Sequence, residues 1–252
     1  MKKIGLLILG FLFLASLVWG QTVLSAGDIV LVTVNADDNK NFDFVPLIDL
    51  ESGTIIKFTD NAWVSANSAL NDNEGIITYT ASSFVSKGSI LSYSGSDGNG
   101  FVKSGSFNPS GSGDNIIVYQ GTEASPSFLY GIGWAKGASW SYSGTNDSDI
   151  PSGLSEISNT ILNLGTYDNY QYNGSTSFAS PSEFLIAIGD KSNWSGRNEI
   201  AYTAFGEDII LPVTLSSFTA QYSSNHPTLY WETESESDNI GWNVYRANSS
   251  NL

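Results

Sequence analysis

Between Ala26 and Phe205 the chain consists of short apolar runs, rich in β-branched and aromatic residues, each closed by a cluster of Gly, Ser, Asn or Asp. This pattern constrains the fold more than any other feature. Runs this short have the length of strands, and the clusters between them carry turn chemistry. Candidate strands fall at 28–35, 42–49, 54–60, 75–80, 89–94, 115–120, 128–134, 184–189 and 200–205. Strand follows strand without alternating helices, so the expected class is all-β, an antiparallel β-sandwich.

Within the runs, finer expectations follow. Pro46 interrupts the alternation of Phe42-Asp43-Phe44-Val45 and places that strand on an edge or beside a bulge. Glu51-Ser52-Gly53-Thr54 supplies a turn. After it, Ile56 and Phe58 are expected to face the core, with Lys57 and Thr59 facing water. The Ser-, Gly- and Asp-rich stretch 137–158 reads as a long surface excursion. Ile157, Ile161 and Leu164 give 155–164 a weak helical spacing.

At Ile209-Ile210-Leu211-Pro212 the character changes, and new strands are expected at 213–220, 228–232 and 241–246. The domain boundaries are accordingly 1–20, 21–211 and 212–252. The first of these, Met1-Lys2-Lys3 followed by an apolar run to Trp19 and then Gly20-Gln21, has the form of a secretory signal peptide. An uncleaved membrane anchor is the alternative, although the run is near the lower length limit for a span. The expected address is therefore secreted or cell-surface, bacterial, with no stable membrane insertion after cleavage.

The whole chain carries a formal charge of −15, and loss of residues 1–20 would remove two basic residues and no acid. Such a surface repels phosphate backbones, which makes nucleic acid a poor partner. It favours solubility, divalent cations or neutral ligands. With no cysteine at all, the chain cannot be a disulfide scaffold and needs an ordinary core.

LPVTLSSFTA followed by LYWETESESDNIGWNVYR resembles the start of the fibronectin type III-like or immunoglobulin-like module that precedes the C-terminal sorting domain in many large secreted bacterial proteins. Tyr230-Trp231 matches its aromatic second strand, and Trp242-x-Val244-Tyr245-Arg246 its third. A complete module of that kind has about seven strands in roughly 100 residues, so the resemblance implies an incomplete module belonging to a longer protein. GDIVLVTVNADDNKNFDFVPLIDLESGTIIKFTDNAW and GDNIIVYQGTEASPSFLYGIGW resemble an uncharacterised β-sandwich module of bacterial secreted proteins, distantly similar to lamin-tail domains. What this implies is an extracellular, non-enzymatic module, and the leading expectation for the chain is a role in adhesion or domain display. Catalytic residues: none are carried over from it.

Chemistry of other kinds can be weighed residue by residue. The single histidine, His226, lies in a hairpin turn, which argues against a histidine-based nucleophilic site or a zinc site of the usual kind. Asp60, Glu74, Glu183 and Asp190 are carboxylates that could pair for glycoside hydrolysis, but their spacing singles out no pair. No cofactor is expected unless it is Ca²⁺. The run 35–43 gathers hard oxygen ligands, Asp37, Asp38 and Asp43 among them, without the ordered spacing of an EF-hand; Asp97-Gly98-Asn99-Gly100 is a weaker candidate. Self-capping Asx turns are the competing account of both.

In FTDNAW, Trp63 is either a plug over the end of the sheet or a sugar-stacking platform, with Asp60 and Asn61 correspondingly turn-forming or hydroxyl-binding. Trp134, Trp140, Tyr142, Tyr167, Tyr170 and Tyr172 surround the polar excursion. Aromatic faces beside polar side chains suit an extracellular glycan or a protein partner, and Trp134, Trp140, Tyr142 and Tyr170 are the candidate binding residues. Coverage of the sandwich ends is the alternative role for the same rings.

Overall fold

The computed structural model describes residues 20–37, 40–144, 146–211, 215–223 and 226–233. Along the chain come β1 (Ile29–Asn35), β2 (Phe42–Pro46), β3 (Ile55–Thr59), β4 (Trp63–Val64), β5 (Ala69–Leu70), β6 (Gly75–Thr80), β7 (Leu91–Tyr93) and β8 (Phe101–Gly105). They are followed by β9 (Gly113–Thr122), β10 (Ser125–Ala135), β11 (Ile161–Asn163), β12 (Asn169–Tyr172), helix α1 (Pro181–Gly189), β13 (Trp194–Arg197), β14 (Leu215–Ser223) and β15 (His226–Thr233). Two sheets make the body of the protein, one ordered β13-β12-β1-β2-β7 and the other β11-β10-β9-β3-β6-β8. All pairings are antiparallel except β10 with β11. The fold is thus an all-β sandwich.

The two layers meet through aromatic rings. Phe42 and Phe44 leave one face of β2 and meet Phe58 of β3 with ring centroids 4.6 and 4.9 Å apart, and Phe44 also packs on Tyr79 of β6 at 5.3 Å. Tilted and edge-on ring pairs at these distances add to the burial energy of the side chains. The register between β1 and β2 slips between Leu31 and Thr33, where a bulge lies. Because of it Leu31 pairs with inward-facing Phe44 while Thr33 pairs with Asp43 on the opposite face. β2 is therefore beside a bulge, as Pro46 suggested. It is not an edge strand: it lies between β1 and β7, and Pro46 is accommodated at its last position.

Both faces of β1 are buried, because the chain folds back over the outer face of the five-stranded sheet. Part of that cover is α1, where a strand was expected. Ser180-Pro181-Ser182-Glu183 caps the helix in the manner of a capping box displaced by one residue: Glu183 N donates to Ser180 Oγ at 3.1 Å, and the Glu183 carboxylate accepts from Ala179 N, just before the cap, at 2.8 Å. Phe184 and Ile188 then fall one turn apart on the buried side, with the Phe184 ring against Tyr172 and Phe178. The rest of the cover is the stretch 200–205, which forms no ladder. Side chains of the sheet take the place of a partner strand. Asn35 pairs with both backbone groups of Tyr202, Gln171 Nε2 donates to Thr203 O, and Phe205 N donates to Asp43.

Further differences concern local pattern. Thr59 is buried, since its hydroxyl donates to Gly75 O at 2.7 Å and accepts from Asn61 N; Lys57 is half-buried over the Tyr119 ring. The stretch 155–159 is a serine-rich turn closed on Thr160, and 161–163 is β11, so the weak helical spacing there is not used. Gly53, with φ +88°, completes the expected turn after Glu51. No helix among the described residues is long and apolar enough to cross a membrane.

Backbone hydrogen bonds tie the chain into the sandwich as far as Ile209 and Ile210, which bond Gly88, Thr176 and Phe178. β14 and β15 form an antiparallel hairpin. Its pairing puts Phe218, Ala220, Tyr222, Pro227, Leu229 and Trp231 on one face and Ser217, Thr219, Gln221, Thr228, Tyr230 and Glu232 on the other. The expected strand at 241–246 lies outside the described residues, as do residues 1–19.

Candidate functional site

A network of polar side chains lies at the end of the six-stranded sheet where FTDNAW leaves β3. Three consecutive side chains there grip the start of β6. Thr59 Oγ1 donates to Gly75 O, Asp60 Oδ1 accepts from Gly75 N at 3.0 Å, and Asn61 Oδ1 accepts from Glu74 N at 2.9 Å. The other oxygen of Asp60 accepts from Asn108 N at 2.6 Å, which brings in the 106–112 loop. Two residues further along the loop, Ser110 N donates to Asp114 Oδ2 at 2.8 Å. Gly75 must be glycine, because a Cβ there would lie 1.9 Å from Phe107 N.

Asp60, Glu74 and Asp114 are close enough to influence one another. Burial pushes the Glu74 carboxyl up to about 8, with the charges of Asp114 and Asp60 adding to the effect. Burial likewise pushes Asp114 up to about 7 against hydrogen bonds from Ser110 and Asn115, with Asp60 raising it further. Asp60 is raised by burial too, and is held back by its bonds from Asn108 and Gly75 and by Lys103. One Glu74 oxygen, Oε2, is buried with no hydrogen-bond partner among the described residues. Beside it lies a cavity of about 190 Å³ lined by Asn61, Asp72, Glu74, Ser104 and Glu123. A carboxylic acid neutral near pH 7 can act as a proton donor, but both oxygens of its neighbour Asp60 are occupied by backbone amides. Of the four carboxylates considered for hydrolysis, the fold brings together Asp60 and Glu74. Glu183 and Asp190 instead cap the two ends of α1, and Asp190 also accepts from Ser192.

Trp63 is a plug. It is 7% exposed and stands edge-on to Phe128 at 4.9 Å. With Ile117, Tyr119, Trp140, Leu154 and Ile161 it forms a second apolar cluster, built on side chains of β9, β10 and β11 and sealed by the excursion 137–158. The excursion is therefore a cover as well as a surface loop. Ser148 and Asp149 fasten it: Trp63 N donates to Ser148 Oγ, Asp149 N donates to Trp63 O, and the Asp149 carboxylate accepts from Ser65 and from Tyr142 N. Those hydrogen bonds, the Ser65 hydroxyl first, hold Asp149 below the usual carboxylate range.

The other candidate binding aromatics divide sharply. Trp134 is fully buried in the main core, its Nε1 donating to Ser110 O at 3.0 Å. Trp140 belongs to the second cluster, and Tyr170 is buried with its hydroxyl accepting from Tyr167 N. None of these three rings presents a face to a ligand. Tyr142 and Tyr167 do, at 41% and 46% exposure. Tyr142 was readable as a candidate binding residue; Tyr167, whose ring packs over Gly196, was named only among the rings around the excursion.

The calcium candidates also separate. Asp37 Oδ2 accepts from Asn169 Nδ2 at 2.8 Å, whereas Asp43 is buried, holds Phe205 N, and is raised by burial. Asp38 lies outside the described residues. No group of three or more His, Cys, Asp or Glu side chains among the described residues is arranged to hold a metal ion. In 97–100, Asp97 accepts from Lys103 N, closing a turn. His226 opens β15 with an exposed side chain. Compared with protein-family models, curated proteins and solved structures, this chain gives no match.

Proposed function

We propose that the chain is a non-catalytic extracellular module of a secreted or cell-surface bacterial protein, serving adhesion or the display of further domains. One observation carries most of the weight: most of the described side chains nominated for chemistry are engaged in holding the fold. Asp60 bonds two backbone amides from separate segments, Asp43 anchors Phe205, Glu183 caps α1, and Trp63, Trp134 and Trp140 are core residues. The signal-peptide pattern at 1–20 supports the address. The hairpin of β14 and β15, with its apolar and polar faces, is consistent with the opening of a fibronectin type III-like module. The sandwich itself is taken to be of the lamin-tail-like kind.

A carbohydrate-binding accessory role is the second reading, and the exposed rings of Tyr142 and Tyr167 favour it. Glycan-array screening of the purified protein separates the two. The adhesion or display role predicts no reproducible glycan binding. Binding abolished by Tyr142→Ala with an unchanged melting temperature establishes the second. Turnover of any polysaccharide refutes the non-catalytic assignment.

A further inference from the structure

Among the described residues, the chain is first bonded into the sandwich at Thr22. Thr22 N donates to Thr54 Oγ1 at 2.9 Å, Thr22 O accepts from Gln120 Nε2 at 2.9 Å, and Thr22 Oγ1 accepts from Glu51 N at 2.8 Å. Leu24 N donates to the same Gln120 carboxamide at 3.0 Å, and the Leu24 side chain, 3% exposed, joins the main core. Contacts from the turn 51–54 and from β9 thus fasten a segment, 22–24, that belongs to no ladder.

The residues just before it are unattached. Gly20 and Gln21 are exposed, a Cβ built on Gly20 would meet nothing within 4 Å, and Gln21 makes no hydrogen bond through its side chain or its backbone nitrogen. This change from unattached to fastened backbone coincides with Gly20-Gln21, the bond at which the signal-peptide pattern is expected to be cut. A cut further along, after the small residue Ala26, would strip Leu24 from the core and take both Thr22 and Leu24 from Gln120. We propose that the exported chain begins at Gln21 and that this residue closes on itself to pyroglutamate, giving the mature protein a blocked N-terminus set directly against its fold. The proposal rests on the export reading above.

Ring closure needs only the residue itself. The freed α-amine attacks Cδ of its own side chain; the N–Cδ bond forms, the Cδ–Nε2 bond breaks, and ammonia leaves carrying a proton from the amine, with no oxidation or reduction. The carboxamide has to be unengaged and the amine has to be clear of the fold, and Gln21 meets both conditions. The resulting γ-lactam removes the terminal positive charge and the amine at which an aminopeptidase starts. Thr22 to Leu24, bonded into the sandwich, supply the rest of the protection, since a terminus resists trimming when its backbone is tied down.

Intact-mass and top-down fragmentation spectrometry tests this on the full chain, expressed with residues 1–20 in a secreting bacterial host, recovered from every cell fraction and held at neutral pH until its mass is constant. The chain should start at Gln21, be lighter than that sequence by one ammonia, and resist stepwise N-terminal degradation. Gln21→Asn, whose shorter side chain would have to close a strained β-lactam, should be cut at the same bond and keep a free amine. A broad-specificity aminopeptidase acting on that folded variant should stop before Leu24. A start at Gln21 with free amine and intact carboxamide overturns the proposal and leaves export standing, as does a start at any other residue beyond the leader. Trimming past Leu24 in the folded variant overturns the anchoring on which the blocked terminus depends. A chain that keeps residues 1–20 overturns the signal-peptide reading together with the proposal.

Discussion

Replacing Trp63 by alanine distinguishes a core plug from a ligand platform by magnitude. The ring is 7% exposed and stands at 4.9 Å from Phe128 inside the cluster that includes Ile117, Tyr119, Trp140, Leu154 and Ile161. Truncating a buried tryptophan costs about 3–5 kcal/mol, from lost transfer energy and from the cavity left behind. Trp63 sits where a loop cover meets the sheet, and this cover can settle inward, so the lower end, about 3 kcal/mol, is expected. Its backbone bonds to Ser148 and Asp149 survive the substitution. For a domain of this size, each kcal/mol lowers Tm by about 2–4 °C, giving a fall of roughly 6–12 °C. Urea unfolding followed by far-ultraviolet circular dichroism measures the loss as a lower midpoint at unchanged slope. Trp63→Phe should recover much of it, and a cycle with Phe128→Ala should show coupling of about 0.5–1.5 kcal/mol. A stability change within about 0.5 kcal/mol, the range of surface substitutions, would refute the argument.

Gly75→Ala should cost more than about 2 kcal/mol, because the new Cβ would drive the Phe107 backbone away and break the Asp60 clamp; thermal unfolding measures it. Ser180→Ala should cost about 1 kcal/mol by removing the N-cap of α1, read from the chemical denaturation midpoint. Melting temperatures in calcium and in chelator should agree to within about 2 °C, since Asp37 and Asp43 are engaged with Asn169 and Phe205; a larger rise in calcium would mean that the cation binds the folded state.

The places where local pattern failed share a cause. Phe184 to Ile188 is a short apolar run, which periodicity alone cannot divide between strand and helix. The deciding signal was present upstream in Ser180-Pro181-Ser182-Glu183. At 200–205 the composition is that of a strand, yet the bonding partners are the side chains of Asn35, Gln171 and Asp43, far away in sequence. Thr59 has an alternation that predicts exposure, but Gly75 O lies within reach of its hydroxyl. The rings of Trp134, Trp140 and Tyr170 could be recognised as a cluster, but their burial depends on which segments return to cover them.

The sequence by itself determined the class of fold: alternation along each strand and the turn chemistry between strands are local, acting within a few residues. It also set the acidity of the chain and excluded disulfides. Tertiary structure alone decided which side chains are accessible and which carboxyls meet. Asp60, Glu74 and Asp114 come from three different strand ends, and their perturbed proton affinities arise from shared burial and mutual repulsion. Both depend on three-dimensional distance, which no spacing along the chain encodes.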